Sequence, residues 1–187
     1  MAATVLEWGS PDPVPNSALV DTQFLFDLYG FQGGTGKAKL RQSAANEFFE
    51  LLVSNGTELW VTPSIIQEAC YRYFRHVRDE EKKKKPRVSR GDSEAEGIRQ
   101  APVMYAFVLE LKAIAVRLPG ERGPGIVPGS LVAKTMDFLA RKHQLKPMDA
   151  LHAACARLDD PAVIITNDRD FQKVDDLLVY VYEKAPS

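Results

Sequence analysis

Residues 147–171 read PMDALHAACARLDDPAVIITNDRDF, and this stretch decides the fold. Pro147 suits a first helical position, where the missing N–H costs nothing. Small and apolar residues at helical spacing follow from Met148 to Leu158. Ala162 to Thr166 is then a short apolar run closed by Asn167 and Asp168, a pattern that predicts a buried strand. A helix feeding a buried strand that ends in a carboxylate is the unit of an α/β chain.

Working outward, the same alternation recurs. Ala18-Leu19-Val20 predicts a buried strand that stops at Asp21, and residues 22–29 begin a helix that Gly30, Gly33, Gly34 and Gly36 break. Ala38 to Ser54 carries Leu40, Ala44, Phe48, Leu51 and Leu52 at helical spacing. After Asn55-Gly56, Glu58 to Val61 predicts a strand. Thr62 as N-cap and Pro63 at the first position open a helix running through Val77. Helical patterns return at 103–117 and 130–142, separated by the Gly/Pro-rich residues 119–129, and Leu178 to Tyr182 predicts a last strand. Strands joined through helices imply crossover connections. The expected fold is α/β, an α/β/α sandwich around a mostly parallel sheet.

The 187 residues suit one domain. Residues 1–16, with Pro11, Pro13 and Pro15, read as an extended lead-in outside the core, and 17–182 as the domain. Residues 79–99 are almost wholly charged and lack apolar periodicity, so they read as a mobile surface insertion. Hydrophobic residues make up 45% and charged residues 26%, the balance of a soluble globular chain. No basic stretch followed by an apolar core opens the chain, and no apolar run approaches the ~20 residues that span a bilayer. Cys70 and Cys155 stand alone in apolar patterns, without a Cys/His cluster for zinc or a disulfide framework. They read as buried free thiols in a reducing, cytoplasmic compartment, with no membrane partner.

Four carboxylates draw the argument toward chemistry. Asp21 and Asp168 stand at the carboxyl ends of strands, where open α/β sheets bind ligands. An unpaired charge there is expensive. Glu68 and Asp149 stand near helix starts, where a solvated face or a dipole-complementing acid would explain them as well. If the four converge, a divalent cation must offset their repulsion. Hard oxygen donors select Mg²⁺ or Mn²⁺ over zinc. Such a site suits phosphodiester hydrolysis, in which the ion activates water and stabilises charge on the phosphoryl group.

Four segments also resemble a known family: Ala18-Leu19-Val20-Asp21-Thr22, Thr62-Pro63-Ser64-Ile65-Ile66-Gln67-Glu68, Met148-Asp149-Ala150-Leu151-His152-Ala153-Ala154, and Ile164-Ile165-Thr166-Asn167-Asp168-Arg169-Asp170-Phe171. In order and spacing they resemble the PIN-domain ribonucleases, which include the VapC-type toxins. The resemblance implies a Mg²⁺- or Mn²⁺-dependent endoribonuclease that leaves 5′-phosphate and 3′-hydroxyl ends. Asp21, Glu68, Asp149 and Asp168 would be its metal-binding, catalytic acids. Thr166 falls where the family often has a hydroxyl, able to orient a carboxylate or water. Asp170 is either a fifth acid or the cap of the next helix. Asn167 either contacts substrate or makes a turn, and His152 is a packing or hydrogen-bonding residue. The toxin branch would add an antitoxin partner, and family analogy a homodimer. The rival readings are a catalytically silent RNA- or protein-binding module and a nuclease acting on DNA. The charged insertion makes this chain longer than a compact VapC-type toxin.

A net charge of −1 argues against a uniformly basic nucleic-acid binder. The charge is uneven, however. From Arg72 to Arg90 nine cations face three acids, a local charge of +6 that leaves −7 elsewhere. Arg72, Arg75, Lys82, Lys83, Lys84, Lys85 and Arg87 are either RNA backbone contacts, on a basic arm beside the acids, or part of a solvated charged loop offset by Asp92, Glu94 and Glu96. Gly33-Gly34-Thr35-Gly36-Lys37 is not a phosphate loop. Phe31 stands where the first glycine belongs and Ala38 where Ser or Thr belongs.

Overall fold

The computed structural model describes residues 3–7, 14–30, 36–85, 87, 89–118, 129–159 and 162–182. Among the described residues six strands form one sheet: β1 (Thr4–Glu7), β2 (Ser17–Val20), β3 (Glu58–Val61), β4 (Ile114–Val116), β5 (Val163–Ile165) and β6 (Leu178–Val181). Their order is β1-β6-β5-β2-β3-β4, and each neighbouring pair is parallel. Seven α-helices connect them: α1 (Thr22–Tyr29), α2 (Gly36–Ser54), α3 (Pro63–Lys84), α4 (Arg90–Gln100), α5 (Pro102–Glu110), α6 (Gly129–His143) and α7 (Pro147–Arg157). A 3₁₀ helix covers Arg169–Lys173.

From β2 the chain steps to β3 and then β4 on one side. It returns through α6 and α7 to β5 and β6 on the other. Right-handed crossovers in opposite directions place helices on both faces of the sheet. The strand order therefore reverses between β2 and β5. The crevice at their carboxyl ends is the place such folds keep for ligands. Asp21 follows β2 and Asp168 follows β5 by three residues.

The central strands are buried on both faces, which is why they read as unbroken apolar runs. Trp60, Phe24, Leu19, Ile164 and Phe171 are among the largest fully buried side chains. Cys155 is buried and free, and burial pushes its thiol up to about 11. Cys70 is only half-buried. No described helix is long and apolar enough to cross a membrane.

Two local readings need correction and a third extends. Thr4–Glu7 is extended and mostly exposed, and it also pairs with Leu178–Val181 as an edge strand. The region 103–117 is not one helix, since α5 stops at Glu110 and β4 adds a three-residue edge strand against β3. A run that short carries no period of its own. Residues 79–99 hold the end of α3 and nearly all of α4 rather than irregular chain. Charge hid these helices. Glu80–Lys83, Glu81–Lys85, Arg90–Glu94 and Glu96–Arg99 pair at helical spacing, which supports helix without any apolar stripe. Ser89 caps α4 by accepting from the Asp92 N–H. Gly97 lets α4 lie against α3, since a Cβ there would stand 2.6 Å from the Phe74 ring and 2.9 Å from its carbonyl oxygen. Residues 31–35, with most of the glycine loop, and 119–128 lie outside the described residues.

Candidate metal centre

Each acid arrives by an ordinary local device. Asp21 is the N-cap position of α1, and its backbone N–H donates to the Ile165 carbonyl, tying β2 to β5. Glu68 lies in the second turn of α3, whose start Thr62 fixes by accepting from the Ile65 N–H at 3.4 Å. Asp149 sits in the first turn of α7 behind Pro147. Asp168 caps the 3₁₀ helix by accepting from the Asp170 N–H at 2.9 Å. That settles one alternative, because the cap is Asp168 and not Asp170.

Side-chain contacts then join these acids. Thr166 donates to Asp21 Oδ2 at 2.9 Å, and its hydroxyl accepts from the Asp168 N–H at 3.0 Å. His152, 1% exposed, places Nδ1 3.2 Å from Asp21 Oδ1 and Nε2 3.5 Å from Glu68 Oε2. Thr22 donates to Glu68 Oε2 at 2.9 Å, and Arg72 holds Glu68 Oε1 at 2.6 Å. Each carboxylate oxygen of Asp21 and Glu68 thus has a partner, with acceptor capacity left over. Asn167 accepts from the Tyr182 N–H, a structural use of its side chain.

The other acids are more open. Ligand atoms of Asp149, Asp168 and Asp170 lie within 4.8 Å of one another, a group that can hold a metal ion. Asp149 is 8% exposed and its Oδ2 has no hydrogen-bond partner among the described residues. A buried carboxylate oxygen aimed among other carboxylates, with no donor, is the observation that fits a hard cation. Asp170 joins this group while pairing with Lys173.

The electrostatics record the same crowding. Burial pushes the Asp149 carboxyl up and the charge of Asp168 pushes it further, while Lys146 pulls it down by more than either Asp21 or Glu68 raises it. At Asp21 burial also pushes upward. The hydrogen bond and charge of His152, with Thr166 and the Thr22 N–H, outweigh it and hold the carboxyl below its ordinary value.

The basic stretch is ordered differently from an arm beside the acids. Glu68, Arg72, Arg75 and Lys82 follow one face of α3, so Arg72 begins the basic stripe and Lys82 stands about 21 Å beyond Glu68, at 1.5 Å per residue. Lys83 and Lys85 are paired with Glu80 and Glu81. Arg75, Lys82, Lys84 and Arg87 are exposed and have no ion-pair partner among the described residues. Thr22, Lys146 and the seat of Arg72 on Glu68 carry no local sequence signal for these contacts. Thr22 adjoins Asp21, but nothing in its own surroundings points to Glu68. Lys146 lies 4.0 Å from Asp149 Oδ2 and 3.9 Å from Asp170 Oδ2, a contact with no sequence signal.

The PIN domain family model matches residues 18–177. The crystal structure of FitAcB from Neisseria gonorrhoeae superposes with a TM-score of 0.50 and 11% sequence identity, covering 87% of this chain and 96% of that one. At that identity the likeness concerns the fold. No curated protein sequence matches the chain.

Proposed function

The chain belongs to the PIN domain family, which implies a nuclease, and from that premise we propose that it is a Mg²⁺- or Mn²⁺-dependent endoribonuclease. The observation that carries the reading is the buried, donor-less Asp149 Oδ2 among Asp21, Glu68, Asp168 and Asp170. Asp149 and Asp168 would hold the ion directly, with Asp170 or Glu68 completing the set. What a divalent ion supplies when bound there is activation of water and positive charge beside the phosphoryl oxygens.

The chain's own residues do the positioning. His152 and Thr166 fix both oxygens of Asp21 and keep it ionised. Thr22 and Arg72 fix Glu68. Arg72 and Arg75 offer guanidinium donors to the RNA backbone next to the acids, and Lys82, Lys84 and Arg87 extend that path. Lys83 and Lys85 would join it by releasing their glutamate partners. The products would carry 5′-phosphate and 3′-hydroxyl ends. The reading extends to the toxin of a toxin–antitoxin pair, with an antitoxin protein as partner, and to a homodimer. The two free thiols suit a cytoplasmic setting.

The test is a parallel assay on single-stranded RNA, single-stranded DNA and an aryl phosphate. RNA should be cut, EDTA should stop the reaction, and Mg²⁺ or Mn²⁺ should restore it. Cutting in EDTA would end the metal mechanism. Preference for DNA would move the assignment to a deoxyribonuclease. RNA binding without cleavage at any metal concentration would leave a silent binding module.

A further inference from the structure

We propose that Lys146 is a substrate-binding residue, which contacts a phosphate of the bound strand on the Asp149–Asp170 side of the site. The inference rests on the nuclease reading above and adds a residue to it. Lys146 is the N-cap residue of α7, with extended backbone and no capping hydrogen bond from its side chain. Pro147 follows and restricts the Lys146 backbone to that extended region.

The ammonium stands 4.0 Å from Asp149 Oδ2 and 3.9 Å from Asp170 Oδ2, and the side chain is 76% exposed. Those distances exceed a hydrogen bond. Lys173, by contrast, closes to contact on Asp170 at 2.5 Å. Lys146 instead hovers between two acids with three donors uncommitted.

A polyanionic strand approaching this cluster meets carboxylates on every side, and a rim cation lowers that barrier where the strand must pass closest. The positive end of the α7 dipole lies at the same rim. Arg72 does the equivalent work from α3 on the Glu68 side. The two cations therefore contact different members of the acidic group from different helices, as a backbone threading between them requires. A lysine is a point charge with rotatable donors, suited to a phosphate oxygen whose direction changes as the strand moves.

The test compares wild type with Lys146→Gln and Lys146→Arg. Binding of a single-stranded RNA oligonucleotide is measured in EDTA against salt, Mn²⁺ binding without RNA, and cleavage with Mn²⁺. In Lys146→Gln the slope of log affinity on log salt should fall by about 0.7, the value for one phosphate contact to a single strand. Its kcat/KM should fall about tenfold, with Mn²⁺ affinity equal or higher. Lys146→Arg should restore the slope. An unchanged slope and unchanged kcat/KM, with Mn²⁺ bound more tightly, would show a counter-charge only and overturn the proposal. If wild type neither binds nor cuts nucleic acid, the nuclease reading itself fails, and this inference with it.

Discussion

Two clusters of charge in this molecule, one around buried Arg117 and one around buried Asp149, are built from similar residue types in different balance. Around Arg117, 8% exposed, the guanidinium reaches Glu58 and Asp159, each at 2.8 Å, and lies 4.3 Å over the Trp60 ring. Its backbone N–H donates to the Val61 carbonyl. That group carries its own cation and ties β3 and β4 to the end of α7. Around Asp149 the acids are Asp21, buried, and Glu68, Asp168 and Asp170, half-buried, with His152 as the one buried base among the described residues at the site, and the cations stand at the rim. The Arg117 group holds a buried cation of its own, whereas the Asp149 group has its cations only at the rim, a shortfall that the proposed divalent ion would make up.

The sharpest way to break this contrast is to remove one acid from each group. Asp21→Asn or Asp168→Asn should reduce RNA cleavage to the level of a protein-free control, with the far-ultraviolet circular dichroism and melting temperature little changed. Full activity in either variant would remove the mechanism. Arg117→Ala should do the reverse. Leaving Asp159 buried without its cation should cost about 3–5 kcal/mol of stability by urea unfolding, while activity per folded molecule stays at the wild-type level. A loss of activity without a loss of stability would erase the distinction between the two groups.

A smaller effect sharpens it. Asp149 has a raised pKa, so its protonated form is favoured in the folded state and stability is lost as pH rises through that value. Asp149→Asn removes that loss. The metal-free variant should melt higher than metal-free wild type at neutral pH, by about 2–4 °C for each kcal/mol relieved in a chain this size. The difference should vanish at acidic pH and shrink when Mn²⁺ is added to wild type. The smallest effect belongs to the far end of α3. Lys82→Ala with Lys84→Ala should weaken binding of long RNA and lower its salt slope, yet leave a four-nucleotide substrate unaffected, because the pair stands about 21–24 Å beyond Glu68. Equal losses on both substrates would place the basic end beside the acids after all.

Much of the fold was legible because its signals are local. Thr62-Pro63 announces α3, Pro147 announces α7, and the apolar runs at 18–20 and 163–165 announce strands buried on both faces. The signals failed where structure is held by something other than an apolar period. The chain from 79 to 99 is helical through charge pairs and the close seat of Gly97 on Phe74. Thr4–Glu7 and Ile114–Val116 are strands because an existing sheet edge offers them hydrogen bonds.

The site divides along the same line. By itself the sequence determined that this is a parallel α/β chain with Asp21 and Asp168 at strand ends, since periodicity and strand termini are properties of contiguous residues. It determined also that the near-neutral net charge conceals a basic stretch and an acidic remainder. Only the tertiary structure decided that His152 spans Asp21 and Glu68, that Asp170 joins Asp149 and Asp168, and that Lys146 stands over them. Those relations cross between α3, α7 and the ends of β2 and β5. Contacts between segments far apart in the chain arise only when the crossovers bring the strand ends together.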